Sequence, residues 1–425
     1  MTAPQLGCIA DDHTGGTDVA AGLRRVGIPT ALLFGVPDPD QPLPRCRAVV
    51  VALKTRTVPP ADAVAQSLAA QRWLDDRGVP TTYFKYCSTF DSTDAGNIGP
   101  VTDALLDATG SGLTLVCPAS PEHGRTVYQG HHFVGATLLS ESPMRHHPLT
   151  PMTDPDLVRV LGRQTPHPVG LLPLTVVRAG VAAAREHLDG MAARGVRHVV
   201  VDVTEDDDLL VAAAAGRDLP VLTGGAGLAR AFGSVVLGAD APVPAPDLHG
   251  SLPAGPGLVL AGSCSAATLE QIDLARGRFP THRLDPVATP DPQQLLETAT
   301  TWLTEHLGRG PLLIHASAPA DEQRAAVAAM GPDTAAVLER TLGRLARTAV
   351  DRGVRRIVVA GGETSGAVTA ALGVRTVLVA GEEDVGVPWC LTEGTDGEPA
   401  LALLLKSGNF GRPDLLVRAM DGATP

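Results

Sequence analysis

Short apolar runs alternate with Ala-, Leu- and Arg-rich helical patterns along most of this chain, and that rhythm constrains the fold more than any other feature. Residues 5–10, 30–34, 48–53, 82–86 and 113–117 read as strands, and 16–26, 60–77 and 101–108 as helices between them. Strands that are apolar throughout, spaced by helices, predict parallel sheets covered on both faces. The rhythm resumes at 179–194 (helix), 199–203 (strand), 207–216 (helix) and 219–222 (strand).

Residues 240–257 (DAPVPAPDLHGSLPAGPG) lack periodicity and are rich in Pro, Gly and Ala, the composition of a linker. Beyond them the alternation starts afresh. Strands are expected at 258–261, 312–316, 356–360 and 376–379, and helices at 267–276, 291–307, 335–352 and 365–372. The expected fold class is α/β: two Rossmann-like α/β/α domains with mainly parallel sheets, spanning 1–240 and 257–425 and joined by that Pro/Gly-rich linker. Residues 120–173, rich in His, Pro, Ser and Thr, interrupt the first domain. Apart from 126–133 they show no strand pattern, so an irregular functional loop or lid is expected there.

A chain of 425 residues, 44% hydrophobic and 19% charged, can bury full cores without covalent staples. Its net charge of -12 argues against nucleic acid or an anionic membrane as partner. No apolar run reaches the ~20 residues needed to span a bilayer. The opening MTAPQLGCIADD lacks the basic and apolar parts of a secretory leader, so the expected compartment is the cytoplasm. The six cysteines are scattered without a C-x-x-C pair, which suggests neither zinc nor a redox motif; no metal-ligating residue is assigned.

Rare residues are informative here. The 34 basic residues include only three lysines, Lys54, Lys85 and Lys406. Arginine replaces a surface lysine easily but not an ammonium acting as a compact point charge, so the survivors merit inspection, and their contexts single out Lys85 and Lys406.

Ligands of doubly wound sheets bind beyond the carboxyl ends of strands. Asp11 and Asp12 stand there after the first strand, followed by His13-Thr14-Gly15-Gly16-Thr17-Asp18 running into a helix. Paired carboxylates suit holding hydroxyls, accepting a proton or holding a metal, while a helix cap explains one of the two. The stretch from Lys85 to Ser92 (KYCSTFDS) offers an ammonium, four hydroxyls and a carboxylate, a ready place for an anionic sugar, although a plain Ser/Thr/Asp turn would look similar. Residues 118–125 (PASPEHGR) and the His-rich stretch beyond them fit an anion-binding loop or a solvated one.

Glycine turns follow the strands at 223–227, 261–265 and 361–366, and another stands at 406–411. Such turns bring backbone N–H groups to a phosphate at a helix N-terminus. Two in the second domain, both with hydroxyls, point to nucleotide binding. Neither a Walker A pattern nor a protein-kinase H-R-D is present, and no clean G-x-G-x-x-G follows the first strand of either domain.

Together, IADDHTGGTD, KYCSTFDS, GNIG, PASPEHGRTVYQGHHFVG, LTGGAGLA, LAGSCSAAT, VVAGGETSGAV and LKSGNFG resemble the four-carbon acid sugar kinase family nearly end to end. The insertion LLSESPMRHHPLTPMTDPDLVRVLGRQT is similar to the branch acting on a 3-oxo acid rather than on threonate or erythronate. The resemblance implies an N-terminal domain for the acid sugar, a C-terminal domain for ATP with Mg2+, and phosphoryl transfer to the C4 hydroxyl. It implies substrate contacts at Asp11, Asp12, Lys85, Ser88, Asp91 and Arg125, with Asp12 and Lys85 catalytic. It implies ATP contacts at Ser263, Ser265, Gly361, Gly362, Glu363, Thr364 and Gly408. The expected partners are thus a small acid sugar and ATP, with homo-oligomerisation left open. Two other classes compete: an NAD-linked oxidoreductase, disfavoured by the missing fingerprint, and a non-catalytic two-lobed sensor of sugar acids, which would not need the hydroxyl-bearing turns.

Overall fold

The computed structural model describes residues 3–147, 149–238, 252–394 and 400–421. The chain divides into two compact units, Met1–Val243 and Pro244–Pro425. The linker expected at 240–257 lies for the most part outside the described residues.

In the first unit the strands are β1 (Leu6–Ala10), β2 (Thr30–Phe34), β3 (Ala48–Ala52), β4 (Thr82–Lys85), β5 (Thr114–Cys117), β6 (Arg125–Tyr128), β7 (His131–Val134), β8 (Thr137–Leu138), β9 (Val169–Leu172), β10 (His198–Val201) and β11 (Val221–Gly224). The main sheet runs β2-β3-β1-β4-β11-β5-β10-β9, with every pairing parallel. Strands β1, β3, β4 and β5 are buried at every residue, which is why they read as unbroken apolar runs. The direction of strand addition reverses at β1, which lies between β3 and β4, so a crevice opens beyond the carboxyl ends of these three strands. Helix His13–Arg25 leaves β1 there. Asp12 caps its start, and Arg24 and Arg25 complement the dipole at its end.

The irregular loop expected at 120–173 is instead built. Strands β6, β7 and β8 form an antiparallel sheet of their own. Helix Leu157–Gly162 follows, and β9 returns to the main sheet as an edge strand beside β10. Short hairpin strands carry too few residues for alternation to show in sequence, and β9 (VGLL) is only half buried.

The second unit holds β12 (Gly257–Ala261), β13 (Thr281–Arg283), β14 (Leu312–His315), β15 (Arg356–Ala360), β16 (Thr376–Asp384), β17 (Val387–Leu391) and β18 (Ala402–Lys406). Their order is β13-β14-β12-β15-β18-β17-β16, parallel except for the last two pairings. Here the switch point lies at β12. Strands β13, β17 and β18 and helix Ala320–Met330 are absent from the sequence reading. The core on one face centres on Trp389, Val259, Val358 and Leu404. Among the described residues, no helix is long and apolar enough to cross a membrane.

Candidate active site

The first crevice is organised by Arg56, which the sequence reading missed. It follows β3, and its backbone N–H donates to the Asp11 carbonyl at 3.2 Å. Its guanidinium forks onto Asp11, with Nε to Oδ2 at 2.9 Å and Nη2 to Oδ1 at 2.7 Å. The same Nη2 donates to Asp12 Oδ1 at 2.6 Å, and Nη1 stands 3.8 Å from Asp91 Oδ2. Burial works against the charged guanidinium, but Asp11 and Asp12 outweigh it and keep Arg56 firmly protonated. Asn97 holds the loop that presents Arg56, its Nδ2 lying 2.6 Å from the Thr55 carbonyl and 2.9 Å from that of Val58.

The two adjacent carboxylates therefore do different jobs. Asp11, 5% exposed, is committed to Arg56. Asp12 caps the helix by accepting from Gly15 N at 2.9 Å, and takes the Thr14 hydroxyl on Oδ2 at 2.6 Å. Burial would raise the Asp12 carboxyl, yet the Arg56 and Lys85 charges and these hydrogen bonds hold it below the usual carboxylate range.

Lys85 ends β4, is 2% exposed, and donates to the Tyr86 carbonyl at 2.9 Å. Its Nζ lies 3.8 Å from Asp18 Oδ2. Beyond it the chain turns through Phe90 and Asp91, with φ of 64° and 22°, strain that non-glycine residues tolerate only when their surroundings enforce it. Thr89 donates to Asp91 at 2.6 Å, and a ring nitrogen of the buried His132 on β7 lies 2.7 Å from the Ser88 carbonyl. Arg125, at the start of β6, and Asp91 both act electrostatically on His132. Asp11, Asp12 and Asp91 thus meet around Arg56, with Lys85 near Asp12 and Asp18 and with Asn97 behind the loop, while Ser88 and Arg125 are placed only through His132. Arg56 carried no local signal, whereas Asn97, one of only two asparagines, and Asp18 stood inside the quoted motifs GNIG and IADDHTGGTD without being named as site residues.

In the second unit a cavity of about 620 Å³ is lined by the turns after β12, β13, β14, β15 and β18. Ser263, Gly361, Gly362, Glu363, Thr364 and Gly408 all line it, as does Cys264. Leu284, Val287, Val327, Leu338 and Leu342 form an apolar wall. Helix Gly362–Ala371 starts at the cavity, and its first N–H groups have no acceptor within the helix, an arrangement suited to phosphate. Gly361 has φ of 126°, a conformation open in practice to glycine. Added side-chain carbon at Gly262 or Gly408 would fall 2.2 Å from Thr364 Oγ1 or 2.3 Å from Ser263 Oγ, so a side chain at either would displace one of these cavity hydroxyls.

Ser265 does not line the cavity: it caps helix Ala266–Ala275 and donates to the Gly408 carbonyl at 2.6 Å. Thr268 Oγ1 and Lys406 Nζ converge on the same carbonyl at 2.9 and 3.0 Å. Lys406 is wholly buried, and burial pushes its ammonium down to about 7.

Two family models cover most of the chain: a sugar-binding N-terminal domain over residues 6–232 and a nucleotide-binding C-terminal domain over residues 258–416. The chain belongs to the family these domains define, the four-carbon acid sugar kinases. It is similar to proteins named 3-oxo-tetronate kinase from Burkholderia multivorans, at 49% identity over 99% of this chain and 98% of that one, and from Cupriavidus necator, at 47% over 98% and 96%. A crystal structure from Salmonella typhimurium, provisionally described as a tRNA synthase, shares 38% identity over 99% of each chain with a TM-score of 0.87.

Proposed function

We propose that this protein is an ATP-dependent kinase that phosphorylates the C4 hydroxyl of 3-oxo-tetronate. The observation that carries the reading is the 49% identity to a 3-oxo-tetronate kinase, which runs through both domains and over 99% of the chain. The geometry supports it. In this reading the second domain takes the nucleotide, with the base against the apolar wall and the phosphates at Ser263, the 361–364 turn and Gly408. Its pocket falls in the size range of small-ligand sites.

The first domain takes the acid sugar. Lys85 and Arg125 bind its carboxylate and oxo groups, with Ser88 and Asp91 on the hydroxyls. Asp11 acts through Arg56, whose orientation it fixes. Magnesium would sit on the nucleotide phosphates beside the Ser263 and Thr364 hydroxyls and would neutralise phosphate charge there. Among the described residues, no group of three or more His, Cys, Asp or Glu could hold a metal, which suits an ion carried on phosphates and water. A net charge of -12 weighs against a large polyanion such as tRNA as substrate.

The test is coupled ADP release with ATP, Mg2+ and a panel of 3-oxo-tetronate, D-threonate, L-threonate and D-erythronate. Turnover confined to the oxo acid is expected. Turnover of a hydroxy acid alone would keep the kinase and discard the substrate. With no turnover at all, ligand binding without catalysis, as in a sugar-acid sensor, becomes the better account.

A further inference from the structure

We propose that Asp18, on the helix that opens from the first-domain crevice, is the base that takes the proton from the acceptor hydroxyl; the inference rests on the kinase reading above. The adjacent carboxylates are unsuited to that task. Asp11 is locked in a two-point pair with Arg56. Both oxygens of Asp12 already accept, from Gly15 N and Arg56 on Oδ1 and from Thr14 on Oδ2. Asp91 Oδ1 takes the Thr89 hydroxyl.

Asp18 is placed differently. It lies one helical turn beyond Thr14 and Gly15, so its side chain shares their face. Gly15 makes the arrangement feasible: a Cβ there would fall 2.3 Å from Asp12 Oδ1 and 3.1 Å from Lys85 Nζ. The bare Cα lets the ammonium lie close to the helix, near both Asp12 and Asp18. Asp18 Oδ2 stands 3.8 Å from Lys85 Nζ, near enough for charge attraction and too far for a hydrogen bond. Its side chain keeps 17% exposure, so an approaching ligand can reach it.

The charges around Asp18 come from three directions: Lys85 at the end of β4, His123 and Glu122 in the turn after β5, and Asp12 after β1. Burial raises the Asp18 carboxyl above its usual range, Glu122 and Asp12 add to this, and Lys85 and His123 oppose it. A carboxylate with raised basicity is a better acceptor for a hydroxyl proton than Asp12, which is held below that range; burial raises Asp11 as well, but both of its oxygens are taken by Arg56. Lys85, whose ammonium has three donors and gives one to Tyr86, can hold the substrate's oxygens beside it. The acceptor oxygen then bonds to the γ-phosphorus as the bond from phosphorus to the β,γ-bridging oxygen breaks. That electron pair leaves with ADP, and the hydroxyl proton passes to Asp18 and on to water.

Asp18→Asn and Asp18→Glu test this with 3-oxo-tetronate and ATP in the full-length protein. For Asp18→Asn the expected result is a kcat lower by about 10²–10⁴-fold, with acid-sugar KM and ATP affinity near wild type. The acidic limb of the wild-type pH profile should be absent from the Asn variant and displaced, not abolished, in the Glu variant. A kcat for Asp18→Asn within about tenfold of wild type would overturn the role. So would a rise in KM with kcat and the acidic limb retained, which marks a residue that only positions Lys85. ATP binding and a thermal melt report whether the Asn variant folds. If it does not, the Glu variant decides, and an unmoved acidic limb there refutes the proposal. A wild-type protein that turns over none of the acids would instead sink the kinase reading itself.

Discussion

Replacing Gly361 with alanine probes the nucleotide turn through two separable effects. Gly361 has φ of 126°, where a Cβ costs about 1–3 kcal/mol of backbone strain. The new methyl would also lie 3.0 Å from Thr364 Oγ1 and 3.1 Å from the Ser263 backbone nitrogen, so both must shift. Those neighbours line the cavity and are the groups assigned here to the phosphates. Gly353 supplies the control, with φ of 102° and nothing within 4 Å of an added Cβ. Both variants should lose about 1–3 kcal/mol, seen as a Tm lower by about 2–4 °C for each kcal/mol. Only Gly361→Ala should weaken ATP binding, by about tenfold or more, since each 1.4 kcal/mol lost at the site is worth a factor of ten. Calorimetric titration with ATP and a thermal melt on each variant supply the numbers. Equal ATP affinity in Gly361→Ala and wild type, with the Tm loss present, would refute the assignment of this turn to the phosphates.

Arg56→Met leaves Asp11 buried without its counter-charge and should cost about 3–5 kcal/mol in urea unfolding, while Arg56→Lys, lacking the planar fork, should recover only part of it; a wild-type midpoint for the Met variant would contradict the pairing. Asn97→Ala releases the 55–58 loop and should cost about 1–3 kcal/mol, raising the acid-sugar KM through Arg56 and leaving ATP affinity intact, as steady-state kinetics and titration will show. Lys406 is neutral in the folded protein above about 7 but stays charged in the unfolded chain up to its ordinary 10.5. Unfolding therefore takes up a proton in that window, so stability rises as pH rises from about 7 towards 10.5, and the burden of the buried charge is fully present below about 7. Lys406→Met should flatten that slope in guanidinium midpoints measured from pH 6 to 9; an unchanged slope would assign it to another group.

The sequence by itself determined the alternation of strands and helices, the two α/β domains, and the polar turns at strand ends. Parallel strands buried on both faces need unbroken apolar runs, as in LGCIA and RIVVA, and those runs are visible without a structure. The lysine shortage marked three residues, of which Lys85 and Lys406 prove buried and Lys54 exposed. The site's inner wiring was decided only by tertiary structure. Arg56 is one among many arginines, and nothing near it in sequence distinguishes it. It meets Asp11, 45 residues away, because β1 and β3 pair in parallel with Ala10 opposite Ala52, which delivers the loop after β3 to the end of β1. The same holds for the split between Asp11 and Asp12, for Asp18 beside Lys85, and for Ser265 turning away from the cavity to hold Gly408. Local pattern records burial and backbone periodicity, whereas ion pairs and caps depend on which strand ends the sheet order brings together.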